Sequence, residues 1–303
     1  MSWESALDEK IKAYMPGLKW LSEEPLAKHT SFRIGGPAKR MAFPQNAEEI
    51  IILSGFLEEM GLRSVLLGNG TNVLCPDEGL DAVVIVTGDQ MHSIVREGDG
   101  VTADAGVSLA RLAAFAWKEG LAGLEFAHGI PGSLGGGIVM NAGAYGGSLS
   151  DVLTSVIALW PDGVRTMEPK DLQLSYRHSV FTEHPEAVVL RAHVRLEKGD
   201  PSLIKAAMDE LMEKRKASQP LEWPSAGSTF KRPPGHFAGA LIEQCGLKGL
   251  RVGDAEISTK HAGFLINRGQ ATCEEVLRLI EQVRETVFNE TGVMLEPEVK
   301  ILR

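Results

Sequence analysis

The amino-acid sequence predicts a globular protein of mixed helices and strands, with two or three domains. Its 303 residues exceed one typical domain and can bury a sizeable core. Hydrophobic residues form 44% of the chain and charged residues 23%, as in ordinary globular proteins, while 33 glycines indicate many turns. Strand and helix patterns alternate along the chain, so disorder is not expected.

Start and stop signals predict the first elements. Residues 1–14 form a short amphipathic helix pattern that lacks the basic and apolar regions of a signal peptide. Asn46 and Gly61 bound an apolar run, which predicts a helix over about 47–60. A strand at Ser64–Leu67 then leads into a glycine-rich loop.

The middle of the chain alternates strands, a helix and a long loop. Two buried strands, Ala82–Val86 and Val101–Ala105, precede a helix over 108–120. The stretch 121–147 is dense in glycine and has no long apolar periodicity, so we expect a functional loop rather than a core element. A hairpin is predicted over 156–167.

A domain boundary is predicted near 198–202. Val188–Glu197 alternates as a half-buried strand before it, and a helix to about residue 217 follows it. Residues 236–245 predict another helix, and Thr272 with Glu275 forms a capping box that opens a long one. The helix after the boundary carries an apolar stripe of Leu203, Ile204, Ala207, Met208, Leu211 and Met212. Strands are predicted at Gly263–Ile266 and around Leu295–Leu302.

Charge, cysteine and hydropathy patterns exclude several classes of protein. A net charge of −9 without basic runs argues against a nucleic-acid surface. The three cysteines and eight histidines show no metal-ligand spacing, so we expect no metal and a reduced, cytoplasmic protein. The longest apolar runs are much shorter than the roughly 20 residues of a membrane span, so we expect no membrane partner.

Two glycine-rich segments, Gly68–Asn72 and Gly129–Gly147, are the first candidates for a binding site. Glycines beside strand or helix ends expose backbone N–H groups with no Cβ in the way, which suits a pyrophosphate. The first segment lacks the third glycine of GxGxxG, and Pro131–Gly137 lacks the end of a Walker A loop. Tight structural turns are the alternative for either segment alone. Two of them in one domain favour a cradle for a large phosphate-bearing cofactor.

Several motifs, taken in order, resemble one known enzyme family. They are Thr30–Gly36, Leu67–Asn72, Ile130–Gly136, Met140–Gly146, Tyr176–Ser179, Ala226–Phe230 and Leu295–Val299. With this order and spacing, nearly the whole chain resembles the UDP-N-acetylenolpyruvoylglucosamine reductase (MurB) family. The short segment between Phe181 and Val188 lacks the tyrosine-bearing insertion that closes over substrate in one subtype. This indicates the type II form and leaves open what closes the cleft.

The resemblance implies an α+β fold and a two-stage reaction. An FAD-binding region of the PCMH (vanillyl-alcohol-oxidase-like) type would occupy residues 1–200, with subdomains of about 1–87 and 88–200. A smaller α+β substrate domain would occupy 201–303, with its last strand able to return to the FAD region. NADPH would reduce noncovalent FAD and leave, and the enolpyruvyl UDP-sugar would then enter the same cleft and become UDP-N-acetylmuramate, a peptidoglycan precursor. A monomer is expected.

The family pattern also assigns site residues by position. Ser228 would donate the proton to substrate C2, while Arg177 and Glu298 would polarise the developing enolate. FAD contacts are expected at Arg33, Gly68, Asn69, Gly70, Thr71, Asn72, Pro131, Gly132, Ser133, Gly136, Asn141, Ala142 and Gly143. Substrate contacts are expected at Tyr176, Arg215, Gln219, Lys231 and His261.

The residues taken without the resemblance leave plainer roles open. Arg177, Ser228 and Glu298 would then be ordinary surface or loop side chains. A flavin-dependent oxidase of a small alcohol would share the glycine segments without needing the Ser228 donor. A catalytically idle nucleotide-sugar binding module would hold no flavin. A covalent flavin link through a histidine is known in the wider fold, and His128, beside the second glycine segment, would be the candidate for it. The resemblance implies noncovalent FAD instead.

Overall fold

A computed structural model describes residues 2–88 and 90–303, so Met1 of the predicted N-terminal helix lies outside the described residues. The helices are α1 Trp3–Tyr14, α2 Ala47–Glu59, α3 Leu109–Lys118, α4 Leu134–Val139, α5 Pro201–Ser218, α6 Ala238–Gln244 and α7 Cys273–Thr291. The strands are β1 Lys19–Pro25, β2 Pro37–Phe43, β3 Ser64–Leu67, β4 Val73–Leu74, β5 Leu80–Val86, β6 Ile94–Glu97, β7 Gly100–Asp104, β8 Leu121–Ala122, β9 Gly143–Ala144, β10 Gly147–Ser148, β11 Leu153–Trp160, β12 Gly163–Met167, β13 Val188–Arg195, β14 Glu197–Lys198, β15 Ser225–Ser228, β16 Arg251–Val252, β17 Ala255–Ile257, β18 Phe264–Asn267 and β19 Lys300–Ile301.

The chain divides into two compact units that are not contiguous in sequence. The first contains the chain up to Ser22, Lys39–Asn69 and Ala82–Glu213, and the second contains Glu23–Ala38, Gly70–Asp81 and Lys214–Arg303. The sequence predicts one boundary near 198–202 instead. Parallel pairing of β19 with β4 is one reason for the difference, because it places Lys300 opposite Val73 within the second unit. The assignment of FAD and substrate domains to these regions stays a prediction.

The first unit is built on a five-stranded antiparallel sheet in the order β12-β11-β13-β7-β6. Leu109 and Leu112 of α3 are fully buried in one core cluster with Val101 of β7 and Val156 of β11. A second sheet has the order β1-β2-β5-β3, and its parallel pair β3 and β5 places Leu67 opposite Val86. Strand β3 leads directly into the first glycine segment.

The second unit packs α7 with a four-stranded antiparallel sheet in the order β15-β18-β17-β16. Helix α7 begins with the predicted capping box, in which Thr272 and Glu275 each accept a backbone N–H bond from the other. It ends at Gly292, whose φ of 72° is left-handed. One face of α7 is buried through Val276, Leu279, Ile280, Val283 and Val287.

Four predictions of local structure were wrong in detail. The stretch 121–147 is not only a loop, because it contains the six-residue helix α4, which buries Leu134 and Ile138 completely. The prediction missed this helix because so short an element shows no long apolar periodicity. The stripe on α5 is narrower than predicted, since Leu203 is 71% exposed and only Ile204 and Met208 are buried. The last strand is limited to β19, and the strand predicted over 188–197 is interrupted after Arg195. No described helix could cross a membrane.

Candidate active site

The first glycine loop follows β3 and offers backbone donors. Within the described residues, the N–H groups of Gly68, Asn69 and Gly70 donate no hydrogen bond. A Cβ added to Gly68 would lie 2.5 Å from the Ser133 hydroxyl oxygen, and one added to Gly70 would overlap the carbonyl oxygen of His29. Gly70 also has a left-handed φ of 61°. The loop therefore needs its glycines for close approach and leaves several N–H groups for a ligand.

The second glycine segment is organised around α4 in a different way. Amides of its first turn are already paired: Leu134 N–H donates to the Val107 carbonyl at 2.7 Å, and Gly135 N–H donates to the Ala105 carbonyl at 2.8 Å. Ser133 caps the helix by accepting the Gly136 N–H at 3.3 Å. Gly136 itself is exposed, and an added Cβ would meet only the Ser133 hydroxyl oxygen, at 3.4 Å. No packing in the described chain explains a glycine there.

These two segments fit a cofactor that carries a pyrophosphate. Unpaired N–H groups on a glycine loop form an anion-binding concavity, and an exposed helical glycine lets a ligand approach the backbone. In the described chain, unpaired backbone donors lie on the first loop rather than on the first turn of α4. The cradle predicted from the sequence stays a prediction. In the described part of the chain, no group of three or more His, Cys, Asp or Glu side chains could hold a metal ion.

Arg177 lies at the tip of a two-residue turn in the first unit. Ser175 and His178 exchange backbone hydrogen bonds of 3.1 and 3.3 Å across that turn. Arg177 has a left-handed φ of 55°, and its guanidinium stacks on the Tyr176 ring with 5.1 Å to the centroid. Tyr176 is 55% exposed. Both side chains are therefore presented at the surface of this unit by a constrained backbone.

Ser228 and Glu298 are brought together in the second unit. The Glu298 N–H donates to the Thr229 carbonyl at 2.7 Å, and Phe230 bridges Pro297, so the two motifs run side by side. Asn72 joins them, because its side-chain amide donates to the Glu298 carbonyl at 3.3 Å. Ser228 is exposed, and within residues 2–88 and 90–303 its hydroxyl forms no hydrogen bond. Glu298 is buried.

The remaining substrate candidates of the second unit differ in their surroundings. Lys231 pairs with Glu296. The Gln219 side-chain oxygen is buried and has no hydrogen-bond partner in the described chain, which makes it available to a ligand donor. Arg215 precedes it by one helical turn, with its carbonyl accepting the Gln219 N–H at 2.9 Å. His261 Nδ1 accepts the Gly263 N–H at 3.1 Å, and burial, aided by the Lys248 charge, lowers the pKa of its ring.

The candidates are distributed over both units. The first unit holds Gly68, Asn69, Pro131, Gly132, Ser133, Gly136, Asn141, Ala142, Gly143, Tyr176 and Arg177. The second holds Arg33, Gly70, Thr71, Asn72, Arg215, Gln219, Ser228, Lys231, His261 and Glu298. Arg33 is exposed and has a left-handed φ of 57°.

Two supporting residues received no role from the sequence. The fully buried Ser179 donates its hydroxyl to the Val139 carbonyl at 2.8 Å, next to the Arg177 turn. Asn267 donates to the Phe32 carbonyl at 3.1 Å and accepts the Gly269 and Ala271 N–H groups. Ser179 belongs to the motif Tyr176–Ser179, so the sequence could have indicated its role. The sequence pattern around Asn267 gives no such indication.

Comparison with known proteins gives agreement along almost the whole chain. The FAD binding domain family matches residues 38–167, and the C-terminal domain of UDP-N-acetylenolpyruvoylglucosamine reductase matches 219–302. The reductase of that name from Caldanaerobacter subterraneus is 45% identical over 98% of both chains. The one from Geobacillus kaustophilus is 47% identical over 93% of this chain and 92% of its own. The crystal structure of the Thermus caldophilus reductase superposes with a TM-score of 0.80 and 34% identity, covering 94% of this chain and 99% of that one.

These matches define the class of protein as an FAD-dependent oxidoreductase of α+β fold. The chain belongs to the UDP-N-acetylenolpyruvoylglucosamine reductase family. The family and fold class predicted from the motifs are confirmed, as is FAD as the cofactor.

Proposed function

We propose that the protein reduces the enolpyruvyl group of UDP-N-acetylglucosamine-enolpyruvate to UDP-N-acetylmuramate, with NADPH as reductant. The observation that carries this proposal is the identity of 45% over 98% of both chains with a reductase of that name. The reaction is a step in peptidoglycan precursor synthesis, and we place it in the cytoplasm, in a monomer. Bound FAD supplies the chemistry of accepting a hydride from NADPH and passing one to the substrate double bond.

Backbone groups of the two glycine segments hold the cofactor noncovalently in this proposal. The unpaired N–H groups of Gly68, Asn69 and Gly70 bind the pyrophosphate, since they have no acceptor in the described chain. Gly136 leaves space for the cofactor at the surface of α4. The other contacts come from Arg33, Thr71, Asn72, Pro131, Gly132, Ser133, Ala142 and Gly143.

Ser228 is the proton donor to substrate C2. Its hydroxyl is exposed and unpaired within the described residues, as a group that meets a substrate must be. A serine is a weak acid, so cationic or hydrogen-bonding neighbours must stabilise the charge that develops in the transition state. We assign that stabilisation of the substrate enolate to Arg177 and Glu298.

Substrate contacts come from Tyr176, Arg215, Gln219, Lys231 and His261. Gln219 offers a buried side-chain oxygen, unpaired within the described residues, to a sugar or nucleotide donor. Burial lowers the pKa of His261 and so favours its neutral form, which suits a hydrogen-bonding role rather than that of a cation. Lys231 would exchange its Glu296 partner for substrate phosphate.

Steady-state kinetics test the function directly. The purified protein is reconstituted with FAD, and NADPH oxidation is followed with and without the enolpyruvyl UDP-sugar under anaerobic conditions. We expect oxidation that depends on the sugar and yields UDP-N-acetylmuramate. A flavin-loaded protein that instead oxidises a small alcohol would refute the proposal. Failure to acquire the visible absorption of oxidised flavin would overturn the assigned oxidoreductase class as well.

A further inference from the structure

Asn141 ends helix α4 and at the same time reaches the turn that carries Arg177. Its φ is 42°, its N–H donates to the Ile138 carbonyl at 3.1 Å, and the next N–H, of Ala142, donates to the Gly137 carbonyl at 2.7 Å. This is a Schellman ending, in which Asn replaces the more usual glycine at the left-handed position. Glycine would serve the backbone better, so the side chain must have a role beyond ending the helix.

The side-chain amide of Asn141 is occupied within the protein. Its Oδ1 accepts the Ser150 N–H at 3.0 Å, and its Nδ2 donates to the Ser175 carbonyl at 3.0 Å and to the Ser150 hydroxyl at 3.3 Å. Both donor hydrogens are therefore used. The residue is 8% exposed. A carboxamide bonded in this way has no donor left for a flavin.

The bond to Ser175 restrains one side of the Arg177 turn, and a second bond restrains the other. Ser175 is the first residue of that turn, and Ser179, just after it, donates to the Val139 carbonyl at 2.8 Å. Both bonds lead to the C-terminal end of α4. Two hydrogen bonds, one on each side of Arg177, therefore tie the turn to the C-terminal end of α4.

We infer that Asn141 is a positioning residue for Arg177 rather than a side-chain ligand of FAD. This inference rests on the proposed function, because it needs Arg177 to act on the substrate. Arg177 has a left-handed backbone conformation, so the guanidinium depends on the turn for its direction. Loss of the Ser175 bond lets the turn shift, and a displacement of about 1 Å at a reacting group costs up to about a hundredfold in rate.

The decisive variant is Asn141→Gly. Glycine keeps the Schellman ending and removes all three side-chain hydrogen bonds. A merely structural role in capping therefore predicts unchanged or higher stability and full activity. We expect rapid-mixing measurements to show that oxidation of the reduced enzyme by substrate slows about ten- to a hundredfold. The FAD dissociation constant and the rate of flavin reduction by NADPH should change by no more than about twofold, because the Asn141 side chain contacts neither FAD nor NADPH in this inference.

Companion variants keep the inference open to refutation. Asn141→Asp retains the acceptor for Ser150 N–H but cannot donate to Ser175, so it should slow the same half-reaction. Ser150→Ala is the matched control. It removes the 3.3 Å contact with Asn141 and the 2.8 Å hydroxyl contact with Ser148 but keeps the Asn141 bond to the Ser175 carbonyl, so the rates should stay unchanged. In an Arg177→Gln background, Asn141→Gly should have no further effect, since neighbours that act through one group are not additive.

Each result has a distinct meaning. A parental oxidation rate in Asn141→Gly, together with a slow Arg177→Gln variant, would refute the positioning role and leave the proposed function intact. A tenfold loss of FAD affinity in both Asn141 variants, about 1.4 kcal/mol of binding free energy, would show instead that Asn141 is a flavin ligand. If Arg177→Gln oxidises at the parental rate, the role of Arg177 fails and the positioning role fails with it.

Discussion

Replacement of Gly136 by alanine separates a structural glycine from one that faces the cofactor. Gly136 lies in the first turn of α4, is exposed and would place its Cβ no closer than 3.4 Å to the Ser133 hydroxyl oxygen. Alanine in a helix is favoured over glycine by about 0.5–1 kcal/mol. The protein without FAD should therefore gain stability, with a rise in melting temperature of about 1–3 °C for a chain of this size.

The cofactor complex should respond in the opposite direction. If the cofactor packs against the Gly136 backbone, an extra methyl group in that contact costs about 1–3 kcal/mol. The dissociation constant of FAD should then rise about tenfold or more. Titration of the FAD-free protein with FAD, followed by flavin fluorescence, measures this directly, and thermal unfolding of the same sample measures the stability.

Gly55 provides the matched control. It lies within α2 and is also exposed, and an added Cβ would meet no atom of the described residues within 4 Å. Gly55→Ala should raise stability by a similar amount and leave FAD affinity unchanged. If Gly136→Ala binds FAD as tightly as Gly55→Ala does, Gly136 does not face the cofactor, and the placement of FAD at the surface of α4 is wrong.

Three further predictions concern the second unit. Ser228→Ala should leave flavin reduction by NADPH nearly intact while slowing reoxidation of the flavin by substrate, since only reoxidation needs the proton. Equal slowing of the two half-reactions in stopped-flow traces would contradict the donor role. Thr272→Ala removes the α7 cap and should lower the free energy of unfolding by about 1 kcal/mol in urea titrations, with Thr286→Ala, a change inside the same helix, as the comparison. Because the pKa of His261 is lowered, the free energy of unfolding should fall as the pH drops below 6.5, the ordinary pKa of histidine. His261→Asn should reduce this dependence of stability on pH.

The sign of the His261 effect follows from proton linkage. Below pH 6.5 the unfolded chain binds a proton at this position that the folded chain resists, so unfolding takes up protons and is favoured by acid. Urea titrations at several pH values between neutrality and the acid range measure the slope for the parent and for His261→Asn. Identical slopes in the two proteins would show that His261 is not the responsible group.

Much of the local structure was predictable because its signals are short. The Asn46 cap, the Thr272 capping box and the hairpin over 156–167 depend on residues only a few positions apart, and all three are present in the structure. Longer apolar stripes were less informative. Leu203 fits the helical period of α5 but is exposed, because which part of a stripe is covered depends on what packs there.

The candidate site could be predicted only through its motifs. Ser228 and Glu298 are seventy residues apart, and each is unremarkable in its own segment. The backbone bond between Glu298 and Thr229 brings the two segments together, and no local rule contains it. Similarly, glycine density marked both segments but could not show which amides are paired. The first-turn amides of α4 are paired, whereas those of Gly68, Asn69 and Gly70 have no acceptor among residues 2–88 and 90–303.

The sequence alone determined the enzyme family, the FAD cofactor, the mixed α+β class and most element positions, because these depend on residue order and short spacings. Only the tertiary structure decided that segments 23–38 and 70–81 belong with the C-terminal unit, and that the side chain of Asn141 binds the Arg177 turn. The physical reason is common to both. Hydrogen bonds between distant segments form only after the chain has collapsed, and they follow from the packing of whole elements rather than from local preference.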